Sequence, residues 1–138
     1  MTDAGVRAEV CVGAVVVYDD ELLLIRRGHG PGAGEWSVPG GRVEGGEMLA
    51  EAVLREVREE AGVEVVCGSL LGVVERIHDD RHFVILDYQA TVLEKQDPVP
   101  GDDAVEARWV PLTDVAELRL VEGLAEFLHE HGVIETIA

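Results

Sequence analysis

The sequence predicts an α/β fold, a mixed sheet with helices on its faces. Valine-rich runs of strand length lie on both sides of one helical stretch, and a second helical pattern closes the chain. The 138 residues suit a single domain spanning 1–138, since about 100–200 residues is the usual domain size. With 47% hydrophobic residues the chain can build a core rather than stay disordered.

Taken in order, Glu9–Tyr18 and Glu21–Arg26 read as two strands, with Asp19 and Asp20 supplying the turn of a hairpin. Residues 27–34 hold four glycines and a proline, which cannot sustain a regular element, so a mobile loop is expected, a candidate to close over a ligand. Trp36–Pro39 is a short apolar piece running into Gly40 and Gly41. Glu47–Ala61 is helical, with Ala50, Val53, Leu54, Val57 and Ala61 on one face at about 100° per residue. Gly62 suits the left-handed position that closes a helix. Val63–Ile77 and His82–Leu93 are further strands around a turn at 78–81. A polar loop (94–103), a short strand (Ala107–Val110) and an amphipathic helix (Leu118–His131) complete the chain.

The charge balance is 11 − 28 = −17. That argues against binding nucleic acid by phosphate neutralisation, which needs a clustered basic surface. It leaves room for a phosphate-bearing small molecule if divalent cations stand between its oxygens and the carboxylates. Residues 1–9 lack the basic-then-apolar pattern of a secretory leader, and no apolar run reaches the roughly 18 residues of a membrane span. A soluble, cytoplasmic protein without membrane contact is the expectation. Cys11 and Cys67 lie apart in apolar settings, without C-x-x-C spacing, and read as buried reduced thiols.

The composition is also uneven along the chain. Eight of the 16 glycines fall between Gly28 and Gly46, and Glu44, Glu47, Glu51, Glu56, Glu59 and Glu60 follow at or just beyond the end of that stretch. Glu56, Glu59 and Glu60 stand at i, i+3 and i+4, within one helical turn, where like charges repel. Arg55 and Arg58 would offset part of this, but they project from the other side of the stripe and from near the core edge. A hard divalent cation fits better, because Mg²⁺ takes carboxylate oxygens and keeps waters that a phosphate ligand can replace. Gly40 and Gly41 leave backbone free to approach a metal or a phosphate, and Glu47 suits the positive end of the helix.

Gly41 through Val63 reads G-R-V-E-G-G-E-M-L-A-E-A-V-L-R-E-V-R-E-E-A-G-V. It resembles the signature of the Nudix hydrolases, G-x5-E-x7-R-E-U-x-E-E-x-G-U, at every defined position. Trp36–Gly41 and Trp109 are also similar to the family. The resemblance implies a Nudix-type α/β/α sandwich with a mixed sheet between helices. It further implies hydrolysis of a nucleoside diphosphate linked to another group, with Mg²⁺ or Mn²⁺ as the metal. Carried over residue by residue, it makes Glu56, Glu59 and Glu60 the metal ligands, with the Gly40 carbonyl as a further candidate. Arg55 then orients the glutamates, and Glu47 pairs with Arg55 or reaches metal through water. An acid from outside the motif is expected to join, with Asp103 the first choice and Glu106 the second. Glu56 is the candidate general base and Glu59 the alternative.

Substrate identity is less constrained. The segment Val74–Tyr88 is similar to the corresponding part of bacterial Nudix proteins called ADP-ribose pyrophosphatases, so ADP-ribose or a related nucleotide sugar is the first expectation. A proline that marks one ADP-ribose subgroup is missing around His78 and Asp79, which keeps nucleoside triphosphate clean-up open. A nucleotide-sensing module without catalysis is the alternative of another class. Arg26, Arg27, Gly41, Arg76, Arg81 and His82 are the candidate substrate contacts, while His129 and His131 read as solvated. Many relatives are homodimers, and the apolar strands leave room for that.

Overall fold

The computed structural model describes residues 7–135; the rest of the 1–138 domain, including most of the segment read for a leader, lies outside the described residues. Seven strands form a mixed sheet: β1 (Ala8–Tyr18), β2 (Glu21–Arg27), β3 (Trp36–Ser37), β4 (Gly40–Arg42), β5 (Val66–His78), β6 (Arg81–Thr91) and β7 (Ala104–Pro111). The main path runs β3-β2-β1-β6-β5, with β4 on β1 and β7 on β2. Among the named strands, β1 and β6 alone pair in parallel. The β1–β2 hairpin turns on Asp19 and Asp20, at φ 52° and 61°, a conformation that Asp tolerates better than most residues.

Side chains alternate across the strands and build two cores. Val12, Ala14 and Val16 of β1, with Leu23 and Ile25 of β2, pack under helix α1 (Leu49–Ala61). Val15, Leu22 and Leu24 face the other way, onto helix α2 (Leu124–Glu130) and the 3₁₀ turn Leu112–Glu117. The predicted α/β sandwich is therefore what the chain adopts. Among the described residues no helix is long and apolar enough to cross a membrane.

Several boundaries differ from the sequence reading. The expected helix Leu118–His131 begins only at Leu124. Trp36 donates its N–H to the Arg119 carbonyl (2.8 Å) and accepts from Val121 N–H (2.9 Å), which holds 119–121 extended against β3. Gly123, at φ 84°, then turns the chain into α2. The first helix starts at Leu49 rather than Glu47, and the strand expected from Val63 starts at Val66. Cys11 is buried and Cys67 only half-buried; both are free thiols.

The apolar face of α1 is rotated from its expected position. Ala50 is exposed, whereas Ala52, Val53, Glu56, Val57 and Ala61 are buried. Glu56 thus belongs to the packed face as well as to the acidic stripe. Gly62 closes the helix as expected, at φ 66° with its N–H on the Arg58 carbonyl. The loop after β6 is laced to the same end: Val99 and Gly101 donate to the carbonyls of Ala61 (2.8 Å) and Glu60 (3.1 Å), which have no intrahelical partner.

Candidate active site

One guanidinium organises the acids. Arg55 donates to both oxygens of Glu47 (2.7 and 2.9 Å), to Oε1 of Glu56 (2.6 Å), to Oε1 of Glu59 (3.0 Å) and to the Arg42 carbonyl (3.0 Å). Arg55 therefore projects into the acidic stripe, not beside it, while Arg58 pairs with Glu64. Glu47 lies just ahead of the helix, accepts a bond from Glu44 N–H (3.0 Å) and clamps Arg55 in a two-bond fork. Those bonds hold the Glu47 carboxyl down at about 2. Arg55 in turn is raised above the ordinary arginine range, first by Glu47.

Glu60 is held differently. Its Oε1 accepts the Gly40 N–H (2.8 Å), so this amide is occupied by a glutamate rather than left for a phosphate. Burial pushes Glu60 up to about 8, with Glu56 and Asp102 adding to the rise and the Gly40 amide and Arg27 opposing it. Burial likewise raises Glu56, against the pull of Arg55. Gly41 is required beside it, because a Cβ at that position would lie 2.7 Å from the Glu56 carboxyl carbon.

The donor set fits a hard cation. In Glu56, Glu59 and Glu60 alike, Oε1 is fixed by Arg55 or Gly40 while Oε2 has no hydrogen-bond partner among the described residues. Three oxygen donors from one helical turn remain, and burial and neighbouring acids disfavour the charged state of Glu56 and Glu60, which is the setting a divalent ion relieves. No group of three side chains already in metal-binding geometry occurs among the described residues.

The remaining candidates scatter. Asp103 does not turn toward the glutamates; it is exposed and faces His29 at 3.5 Å. Asp102 is the acid that acts on Glu56 and Glu60. At φ 52° it redirects the chain between the bonds that tie Gly101 to α1 and the start of β7. Glu106 pairs instead with Arg26 (2.7 Å). Arg27 bears electrostatically on Glu60. Arg81 pairs with Glu9 (3.0 Å) and His82 with Glu75 (2.9 Å), at the far end of the β5–β6 hairpin. Arg76 reaches the Glu122 carbonyl near α2, and His131, instead of being free in solvent, stacks on Phe127 with ring centres 4.4 Å apart. The glycine loop is closed by turn bonds, Gly34 N–H to the Arg27 carbonyl (2.7 Å) and Glu35 N–H to that of Gly32 (2.9 Å), and Gly28 N–H binds the Asp103 carbonyl (2.7 Å).

This geometry has parallels. A family model described as the NUDIX domain matches residues 8–131. Over 131 residues the chain is 34% identical to the 8-oxo-dGDP phosphatase NUDT18 of Homo sapiens, covering 88% of this chain and 41% of that protein. Over 111 residues it is 36% identical to the ADP-ribose pyrophosphatase of Methanocaldococcus jannaschii, covering 79% and 65%. The chain thus spans less than two thirds of either relative. The crystal structure of a MutT protein from Methanosarcina mazei Go1 superposes with a TM-score of 0.83 at 27% identity, over 94% of this chain and 96% of that one.

Proposed function

Because the chain belongs to the NUDIX family, we propose that it hydrolyses the pyrophosphate bond of a nucleoside diphosphate linked to another moiety, with ADP-ribose or a related nucleotide sugar as substrate. The carrying observation is the three open Oε2 atoms of Glu56, Glu59 and Glu60 around an Arg55-fixed frame. Glu56, Glu59 and Glu60 would hold Mg²⁺, or Mn²⁺ in its place, with Asp102 contributing charge from the β7 side and the Gly40 carbonyl as a further ligand. When bound, the metal would offset charge on the diphosphate and acidify a water.

The protein's own groups do the rest. Arg55 and Glu47 fix the carboxylate rotamers, which keeps the oxygens aimed without further ordering. Glu56, packed against Gly41, takes the proton of the attacking water as general base, with Glu59 the alternative. Arg27, the cation acting on Glu60, is the substrate contact best placed to meet a phosphate.

ADP-ribose is favoured by the M. jannaschii relative and by the likeness of Val74–Tyr88. The similarity to NUDT18 favours a second reading, clean-up of a damaged nucleoside diphosphate. A panel of ADP-ribose, nucleotide sugars, nucleoside triphosphates and 8-oxo-dGDP, assayed with Mg²⁺ for AMP and phosphate release, separates these. Glu56→Gln should lower turnover by ~10²- to 10⁴-fold. If the wild type cleaves nothing in the panel and Glu56→Gln leaves nucleotide binding unchanged, the protein is a sensing module instead.

A further inference from the structure

Residues 94–103 run between β6 and β7 without a helix or strand of their own, yet they are tied down at close intervals. The Gln96 side-chain amide brackets one residue just past the α1 stop: its Oε1 accepts from Glu64 N–H (2.8 Å) and its Nε2 donates to the Glu64 carbonyl (3.0 Å). The Gln96 carbonyl accepts from Trp109 Nε1 on β7 (2.8 Å). Val99 and Gly101 then donate to the Ala61 and Glu60 carbonyls. Lys95 also pairs with Glu21 (2.5 Å), but both side chains reach water, and such a pair contributes little.

The segment is stiff as well as tied. Pro98 and Pro100 fix their own φ and push Asp97 and Val99 toward extended backbone, so a shift at Gln96 is passed along rather than absorbed. The prolines also set register. Lacking N–H groups, they cannot replace Val99 and Gly101 as donors to the helix carbonyls, which bars a slip by one residue. A slip by two would bring a residue with a side chain to the place of Gly101, where a Cβ would lie 2.3 Å from the Glu59 carbonyl oxygen. Beyond Asp102 the backbone is pinched again. Gly28 N–H meets the Asp103 carbonyl at 2.7 Å, and a Cβ on Gly28 would stand 2.7 Å from that oxygen and from Val105 Cγ1. Asp102 therefore lies between two glycine contacts, one against the turn of α1 that carries Glu59 and Glu60 and the other against the loop that follows Arg27.

What this seating delivers is a carboxylate. The charge of Asp102 bears on both Glu56 and Glu60. A hard cation held by those acids gains from a further negative group only if that group is kept in place, since the partners behind a metal site set its affinity. We propose that residues 96–101 form a strap that seats Asp102 against the glutamate turn, with Gln96 as its positioning residue. This rests on the reading of the Glu56–Glu60 cluster as a cation and diphosphate site.

Calorimetric titration of the full chain with Mg²⁺ alone tests it through a double-mutant cycle. Asp102→Asn should weaken Mg²⁺ binding about 10-fold and Gln96→Ala about 5- to 10-fold, although Gln96 hydrogen-bonds to none of Glu47, Glu56, Glu59 and Glu60. In the Asp102→Asn background, Gln96→Ala should cost less than about twofold more, because the group it positions has gone. Thermal melts in EDTA establish that each variant is folded. Gln96→Met, which keeps the length and loses both bonds to Glu64, takes the place of Gln96→Ala in the cycle if the alanine variant does not fold. Unchanged affinity in the Gln96 variant, unchanged affinity in Asp102→Asn, or an equal loss with and without Asp102 overturns the proposal. If the wild type itself binds no Mg²⁺, the cation site and the role of the strap fall together, whereas Mg²⁺ binding without the Asp102-dependent loss removes the strap alone.

Discussion

Replacing Arg55 with alanine should expose how far one cation holds the site together. The guanidinium makes five hydrogen bonds, four of them to carboxylates. They do not count equally. Glu59 is 42% exposed at its side chain, so its pair contributes little, while Glu47 and Glu56 are only 14% and 12% exposed. Removing the partner of shielded carboxylates costs about 3–5 kcal/mol, and the open side of the cluster argues for the lower end, about 3 kcal/mol. At roughly 3–4 °C per kcal/mol for a chain of this size, the melting midpoint in EDTA should fall by about 10 °C. Arg55→Lys should recover only part, since an ammonium cannot reproduce the two-bond fork on Glu47. Mg²⁺ should raise the midpoint of Arg55→Ala more than that of the wild type, because binding stabilises by mass action and relieves acids that lost the Arg55 guanidinium. Differential scanning calorimetry with EDTA and with Mg²⁺ measures all three. A midpoint for Arg55→Ala within about 2 °C of the wild type in EDTA would refute the assignment of Arg55 as the organising charge.

The metal-free protein should lose stability as pH rises. Glu60 goes from 4.5 to about 8 and Asp87 from 3.8 to about 6 on folding, so between those values the folded state keeps protons the unfolded chain has released, and stability falls through that window by a few kcal/mol for Glu60. Glu47, held at about 2, acts oppositely, its contribution being present above 4.5 and lost toward pH 2; urea unfolding in EDTA from pH 3 to 9 should therefore peak near pH 4–5, and stability increasing from pH 5 to 8 would contradict it. Gly41→Ala should reduce hydrolysis by ~10²-fold with a small change in melting temperature, because the new methyl meets the movable end of Glu56 and no backbone. A loss of folding in that variant would show that Gly41 supports the strand rather than the carboxylate.

What could be read from the sequence follows from how local each determinant is. The spacing of Glu56, Glu59 and Glu60, the Asp19–Asp20 turn and the Gly62 helix stop depend on neighbours within a turn or two, and each stands where its local pattern put it. Most of the differences involve partners distant in sequence. Leu118–Val121 has helical periodicity, but Trp36, over 80 positions earlier, draws it into an extended bridge. Asp102 and Asp103 are adjacent acids in a polar loop, and only the bonds from Val99 and Gly101 to the end of α1 decide which one meets the glutamates. Arg55 departs from its angular position on the helix because the Glu47 carboxylate, arriving from the preceding loop, takes its guanidinium in a two-bond fork. Asp87 gave no signal at all, since an aspartate within an apolar strand looks like an outward residue until the register sets glycines on both sides of it. Glu56 is both buried and bonded to Arg55. The helix face that packs on the sheet overlaps the acidic stripe at this one position, so the core presses Glu56 toward Gly41 and burial raises its carboxyl while Arg55 opposes that rise. The site therefore draws its geometry from core packing, and a core substitution under α1 such as Val53→Ala should disturb Glu56 before it disturbs the exposed Glu59.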